Sequence, residues 1–170
     1  LIVEQDTLNL ESEDIQSPYY EAKISLREYV SPPYYFTFDS RIDEVLNTKI
    51  FIPVIKEGNF IGLTGVDLKL EVFQDIFNSF VDDDIFNIYL LSQEGKFIYH
   101  SDEEKINRNI SEIRPNFSEL NELTRRIHIG ETFSASASGP NTVGSQYISF
   151  VPVSLGEDNK SWSLMLEARS

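Results

Sequence analysis

Asp67 poses the clearest chemical question in this sequence. It stands in GLTGVDLKL, a run otherwise dominated by Gly, Leu, Thr and Val, and a carboxylate buried in such company needs a cation or several donors to offset lost hydration. Thr48 and Lys49 sit on the preceding apolar run, TKIFIPVI, from which either can reach the same cleft. Two aromatic pairs, Tyr19 with Tyr20 and Tyr34 with Tyr35, combine flat apolar faces with hydroxyl tips. That combination lets a small cleft hold an organic molecule and orient its polar ends. Simple packing is the competing role for each of these rings.

Catalytic chemistry is poorly represented. His100 and His128 are the only histidines, whereas a hydrolytic metal centre wants roughly three well-spaced ligands, so both read as surface or structural residues. With no cysteine there is no disulfide framework, thiolate zinc site or cysteine nucleophile. The chain has no G-x-S-x-G elbow, no HExxH helix and no phosphate-gripping glycine loop. Asp82, Asp83 and Asp84 cluster oxygens of the kind Ca²⁺ takes, but the run fits a solvated loop better. The expectation is a binding module with no catalytic residue, no metal and no cofactor.

The 170 residues, with 41% apolar side chains including twelve Phe and eight Tyr, can fill the core of one ordinary domain or two small ones. A formal charge of −14 repels phosphate backbones and anionic membrane faces, which argues against nucleic acid as a partner. No run approaches the roughly 18 apolar residues that a membrane helix needs, and the chain opens at Leu1 without a signal-like segment. It reads as a soluble piece of something longer.

These residues must be positioned by recognisable elements. Residues 1–16 read as a strand end and a loop. A helix is expected over Tyr20 to Tyr29, stopped by Ser31, Pro32 and Pro33, with PPYYF as a loop. TKIFIPVI and NFIGLTGVDLKL are rich in β-branched residues and read as a hairpin turning at Lys56, Glu57 and Gly58. Pro53 places an edge or a bulge in its first strand. In EVFQDIFNSFV, Val72, Phe73, Ile76, Phe77, Phe80 and Val81 form one helical stripe. A second hairpin follows, IFNIYLLS and KFIYHS around Gln93, Glu94 and Gly95. Next come a polar loop, SDEEKINRN, and a helix in NFSELNELTRRIHIG that stops at Gly130. TFSASAS, SQYISFVPV and SWSLMLEA are the last strands, with turns at Gly139 and Pro140 and around Gly156, Asp158 and Asn159.

An internal echo orders this text. Phe51, Ile52, Pro53 and Val54 return as Phe150, Val151, Pro152 and Val153, each quartet followed by a glycine-bearing turn and another apolar strand. The pattern predicts two copies of one antiparallel α+β unit, the first over residues 1–81 including a connecting helix, the second over residues 82–170.

PYYEA, SPPYY, TKIFIPVIKEGNFIGLTGVDLKL and IYLLSQEGKFIYHS together resemble the core text of double Cache domains, two PAS-like units in tandem. The resemblance runs from about Pro18 onward and is most specific at GLTGVDLKL. It implies the extracytoplasmic, periplasmic sensor of a bacterial chemoreceptor, histidine kinase or cyclic dinucleotide synthase, attached to membrane helices. A membrane-distal unit would bind a small molecule (an amine, an amino-acid-like compound or a carboxylate) and a membrane-proximal unit would relay the signal. Asp67 would then take a ligand amine, and Tyr19, Tyr20, Tyr34, Tyr35 and Thr48 would line the distal pocket. Members usually begin with a long helix and a first strand before the PYYEA region, so part of the distal unit is expected to be absent here. Ser17 stands where amino-acid-binding members carry Arg, and Phe36 where many carry Asp. These departures keep open a second reading, a scaffold or protein-interaction module that signals by homodimerisation or through a partner. A hydrolase is the weakest alternative.

Overall fold

The longest pairing in the chain joins β3 (Val45–Lys56) to β4 (Asn59–Lys69). Lys56 opposes Asn59, so the turn is Glu57 and Gly58 alone, and both take positive φ, 52° and 79°. That turn backbone matches the right-handed twist of the strands it joins. The computed structural model describes residues 18–36, 45–79, 86–114, 120–137, 146–156 and 161–168. The expected features at residues 1–17, Phe80, Val81, the Asp82 to Asp84 run, Gly139, Pro140, Asp158 and Asn159 lie outside them.

Two short strands, β1 (Tyr29–Val30) and β2 (Tyr34–Phe36), pair antiparallel with the other side of β3 and complete a four-stranded sheet. Tyr34–Phe36 of PPYYF thus form a strand where a loop was expected. The preceding helix, α1 (Pro18–Ser25), is shorter than expected, because Leu26 adopts φ 55° and turns the chain out of the helix before the prolines are reached. Pro53 opposes Leu63, but β1 has ended by then, so its missing N–H falls on a side of β3 with no partner among the described residues. A bulge follows at once: Val54 opposes Gly62 and Ile55 opposes Phe60, leaving Ile61 unmatched.

One residue, Leu70, connects β4 to α2 (Glu71–Asn78). Of the expected stripe, Phe73 and Phe77 pack inward, while Val72 and Ile76 are exposed. The second sheet holds β5 (Phe86–Leu91), β6 (Phe97–Tyr99), β7 (Phe133–Ala137), β8 (Gln146–Ser154) and β9 (Ser161–Ala168) in the order β6-β5-β9-β8-β7. One face carries Tyr89, Leu91, Phe97, Ile148, Phe150 and Met165 against α3 (Ile110–Ile113) and α4 (Leu120–His128). The polar stretch expected as a loop contains a short helical turn, Glu103–Lys105, started by Asp102, whose side chain accepts from the Glu104 N–H, and it leads into α3, started by Asn109, whose side chain accepts from the Ser111 N–H. The opposite face meets the first sheet through Leu46, Leu70, Leu90, Ile98, Tyr99 and Trp162. Each large apolar side chain buried this way contributes about 1.5–3 kcal/mol. The architecture is α+β, antiparallel sheets with a few flanking helices.

Candidate functional site

Side chains alternate faces along a strand, so the register of β3 decides which candidates meet. Lys49 opposes Asp67, Phe51 opposes Gly65 and Tyr34 opposes Asn47. These residues share one face, and on it the Tyr34 hydroxyl donates to Asp67 Oδ1 at 2.6 Å across the width of β3. Burial, then the hydrogen bond to Asp67 and its negative charge, raise the Tyr34 pKa. The Lys49 ammonium lies 5.3 Å from the Tyr34 ring centre and 5.6 Å from that of Phe36, within cation–π range. Two aromatic rings, an ammonium and a carboxylate thus form one polar-edged patch on the sheet.

Asp67 itself is exposed. The expectation of a buried carboxylate in need of a cation is corrected accordingly: the charge keeps contact with solvent, and its described partner is a neutral hydroxyl. Gly65 beside it leaves room for Phe51. A Cβ there would come within 2.6 Å of the Phe51 ring and 2.5 Å of the Ile50 carbonyl oxygen.

The remaining candidates separate. The bulge at Ile61 brings Phe60 opposite Ile55 and hence onto the Asp67 face, where the Tyr19 ring meets it edge-on at 5.5 Å. Tyr20 lies half-buried on α1 beside it. Tyr35 opposes Leu46 and Thr48 opposes Leu68, which places both on the other face. Thr48 is fully buried and its hydroxyl donates to the Ser31 carbonyl at 2.8 Å, a structural bond that ties β1 to β3. Asn47, also fully buried, lies on the Asp67 face with its Oδ1 lacking a partner among the described residues. Its polar type within an apolar strand was the only signal for it in the sequence.

A second cluster went unforeseen. Glu167, 3% exposed, accepts from both Arg114 terminal nitrogens at 2.6 and 2.7 Å and from the Tyr89 hydroxyl at 2.8 Å. Burial works to raise the Glu167 pKa, but the Arg114 hydrogen bonds and charge prevail and the net shift is downward. Next to it His100, 5% exposed, packs its ring on Tyr89 and Phe97. Its Nδ1 accepts from the Asp102 N–H, and burial brings its pKa down to about 4. His100 is thus a neutral structural residue, as its type and setting had suggested. Among the described residues no group of His, Asp and Glu is placed to hold a metal ion, and no helix is long and apolar enough to cross a membrane.

The two carboxylates occupy matching positions. Phe150 opposes Met165 and Ile148 opposes Glu167 in β8 and β9, just as Phe51 opposes Gly65 and Lys49 opposes Asp67 in β3 and β4. Aligned on the repeated quartet, Glu167 corresponds to Asp67 and Met165 to Gly65.

No protein-family model matches the chain. In sequence it is similar to the methyl-accepting chemotaxis protein PscA of Pseudomonas syringae pv. tomato, 32% identical over 123 residues, which is 71% of this chain and 18% of that protein. In structure it is similar to the extracellular domain of mmHK1S-Z2, described as a histidine kinase (TM-score 0.73, 21% identity, 95% of this chain and 56% of that one). It is also similar to the ligand-binding domain of the Pseudomonas aeruginosa chemoreceptor PctC in complex with GABA (TM-score 0.65, 21% identity, 97% and 66%). The chain therefore spans less than two thirds of each.

Proposed function

We propose that this chain, a Cache-type sensor domain by fold, is the ligand-recognising, extracytoplasmic portion of a bacterial membrane receptor. In this reading the sheet of Asp67 is the membrane-distal unit and the sheet of Glu167 the membrane-proximal one. The distal sheet takes a small polar organic molecule that carries an amine, and it acts as a switch without turnover. The observation that carries the reading is the Tyr34–Asp67 hydrogen bond on a face shared with Lys49, Phe36 and Phe51.

The internal correspondence supports the ligand class. At the matching position of the second sheet, Glu167 is satisfied by a guanidinium from the same chain and a tyrosine hydroxyl. Asp67 has the tyrosine hydroxyl, and a ligand ammonium would supply the cation. Lys49 would meet a carboxylate at the other end of the same molecule. Gly65 and Lys49 stand in place of Met165 and Ile148, so this face carries a small residue and a charged one where the second sheet carries apolar side chains. GABA, to which the similar PctC domain is bound, joins an amine to a carboxylate.

Binding that differs in strength between two conformations shifts their populations, and the shift would pass through the aromatic junction at Trp162 to the second sheet. A thermal-shift and calorimetric screen of amines, ω-amino acids, α-amino acids and plain carboxylates tests the proposal. A compound with an amine should raise Tm and lose most of that effect in Asp67→Ala and part of it in Tyr34→Phe. Binding that survives Asp67→Ala unchanged would reject the site.

A further inference from the structure

Where α1 and β1 meet the connections β5–β6 and β8–β9 of the second sheet, the structure leaves a cavity of about 220 Å³. It is separate from the Asp67 face, since Tyr34, Lys49 and Asp67 are not among its lining residues. Its base is apolar: Trp162 is 5% exposed, and Val30 and Leu155 are half-buried beside it. Its charged groups are Glu21 from α1 and Glu94 from the β5–β6 turn, both exposed, and no lysine, arginine or histidine lines it. Burial, then the negative charges of Glu21 and Glu94, raise the Tyr29 pKa. Carboxylates from the two sides of the cavity therefore act on one hydroxyl. Glu94 also meets Lys96 Nζ at 3.9 Å, a long pair of exposed groups worth little. The Glu28 carboxylate packs on Gly156, next to Leu155, and adds a negative charge nearby.

An apolar base beneath a carboxylate-bearing mouth suits a cation with an alkyl body. A cavity of about 150 Å³ holds benzene, so this one has room for roughly six to ten non-hydrogen atoms. Ser161, 6% exposed, is also a lining residue, and its hydroxyl oxygen has no hydrogen-bond partner among the described residues. A buried polar atom left in that state is one that a bound donor can satisfy. We infer that the cavity at the junction of the two sheets is a second binding site, for a small alkylammonium ion. Its alkyl part lies on Trp162, Val30 and Leu155, and its N–H groups donate to the Glu21 and Glu94 carboxylates. Unlike the ligand proposed for the Asp67 face it carries no carboxylate, which the glutamates would repel. Ser31, another lining residue, links this site to the first sheet: its N–H donates to the Lys49 carbonyl and its hydroxyl accepts from the Lys49 N–H, both at 2.9 Å. Lys49 opposes Asp67, so an occupant of the junction ties the second sheet to the strand behind the Asp67 face.

Trp162 is the sole tryptophan of the chain, so its emission reports on this cavity. The probe is butylammonium, titrated at constant ionic strength into the 170-residue chain carrying Asp67→Ala, which removes the other candidate site. A saturable change in Trp162 emission with a matching rise in Tm is expected. GABA, in which a carboxylate replaces the terminal methyl of butylammonium, should give neither. Glu21→Gln combined with Glu94→Gln should weaken butylammonium binding by roughly tenfold. Glu103→Gln combined with Glu104→Gln makes the same change of charge on an exposed turn away from the cavity and should leave binding as it was. The inference is overturned if butylammonium gives no saturable change, or if it raises Tm without altering Trp162 emission. Equal binding by the two double variants, or GABA binding as well as butylammonium, overturns it too. Because Asp67 is already replaced in these titrations, the junction site and the Asp67 site can fail separately.

Discussion

At matching positions of its two sheets the chain places two carboxylates in opposite circumstances. Glu167 is buried, gripped by both arms of Arg114 and by the Tyr89 hydroxyl, with Met165 and Ile148 filling the face around it. Asp67 is exposed, held by one hydroxyl, with Gly65 and Lys49 in the corresponding places. The backbone frame is shared and the chemistry is not. A position that one sheet uses for internal cohesion is left available by the other, and the side chains around it mark the difference: large and apolar in the first case, small or charged in the second.

The largest effect should come from breaking the Glu167 side of this pair. Replacing Glu167 with Ala leaves the half-buried Arg114 without its counter-charge and should cost about 3–5 kcal/mol in urea unfolding. A cost below about 1 kcal/mol would mean that the two carboxylates are equivalent after all. Acid should act on the same sheet. His100 is neutral in the fold with a pKa near 4, so the unfolded chain, titrating near 6.5, takes up its proton first. Stability should therefore be full above about pH 6.5 and fall by roughly 2–3 kcal/mol as pH drops toward 4. Glu167 adds to the loss below that, because its lowered pKa makes the ionised form the folded one. A His100→Gln variant should flatten the upper part of the curve, measured as the urea midpoint from pH 7 to pH 4.

Smaller effects sharpen the other side. Gly65→Ala forces its methyl against the Ile50 carbonyl and the Phe51 ring, and should cost about 1–3 kcal/mol, observable as a lower Tm and weakened ligand binding. Smallest of all, Asp67→Ala should move stability by less than about 0.5 kcal/mol, as an exposed substitution does, while removing the amine-dependent thermal shift. A large destabilisation by Asp67→Ala would assign that carboxylate to the fold and not to recognition.

Much of this was legible in residue order. The β3–β4 hairpin, its Glu57-Gly58 turn, the final strand SWSLMLEA and the repeated quartet all follow from composition and turn chemistry, and the structure has each of them. What escaped was register. From Lys56 opposite Asn59, an unbroken ladder would put Thr48 opposite Asp67; the bulge at Ile61 shifts the ladder by one residue and puts Lys49 there instead. Pro53 forecast an edge or a bulge in this hairpin, but not that the extra residue is Ile61, because β3 is apolar on both faces over Ile50–Ile55 and alternation gives no reading frame. The Arg114–Glu167 pair escaped for another reason. Its partners lie 53 residues apart, and neither position is unusual until the fold joins them. Tyr34 and Asp67, by contrast, were both picked out by residue type, and the sheet joins them.

Leu70 is the sole residue between the strand that carries Asp67 and the helix whose Phe73 ring lies 5.3 Å from Trp162. It is 2% exposed, and its N–H is bonded to the Leu46 carbonyl, so the joint has no slack. A tilt of that strand is geared directly to the far layer, much as a crank turns a shaft, and a glycine spliced in at this joint would let the two halves swing out of step while each kept its own shape.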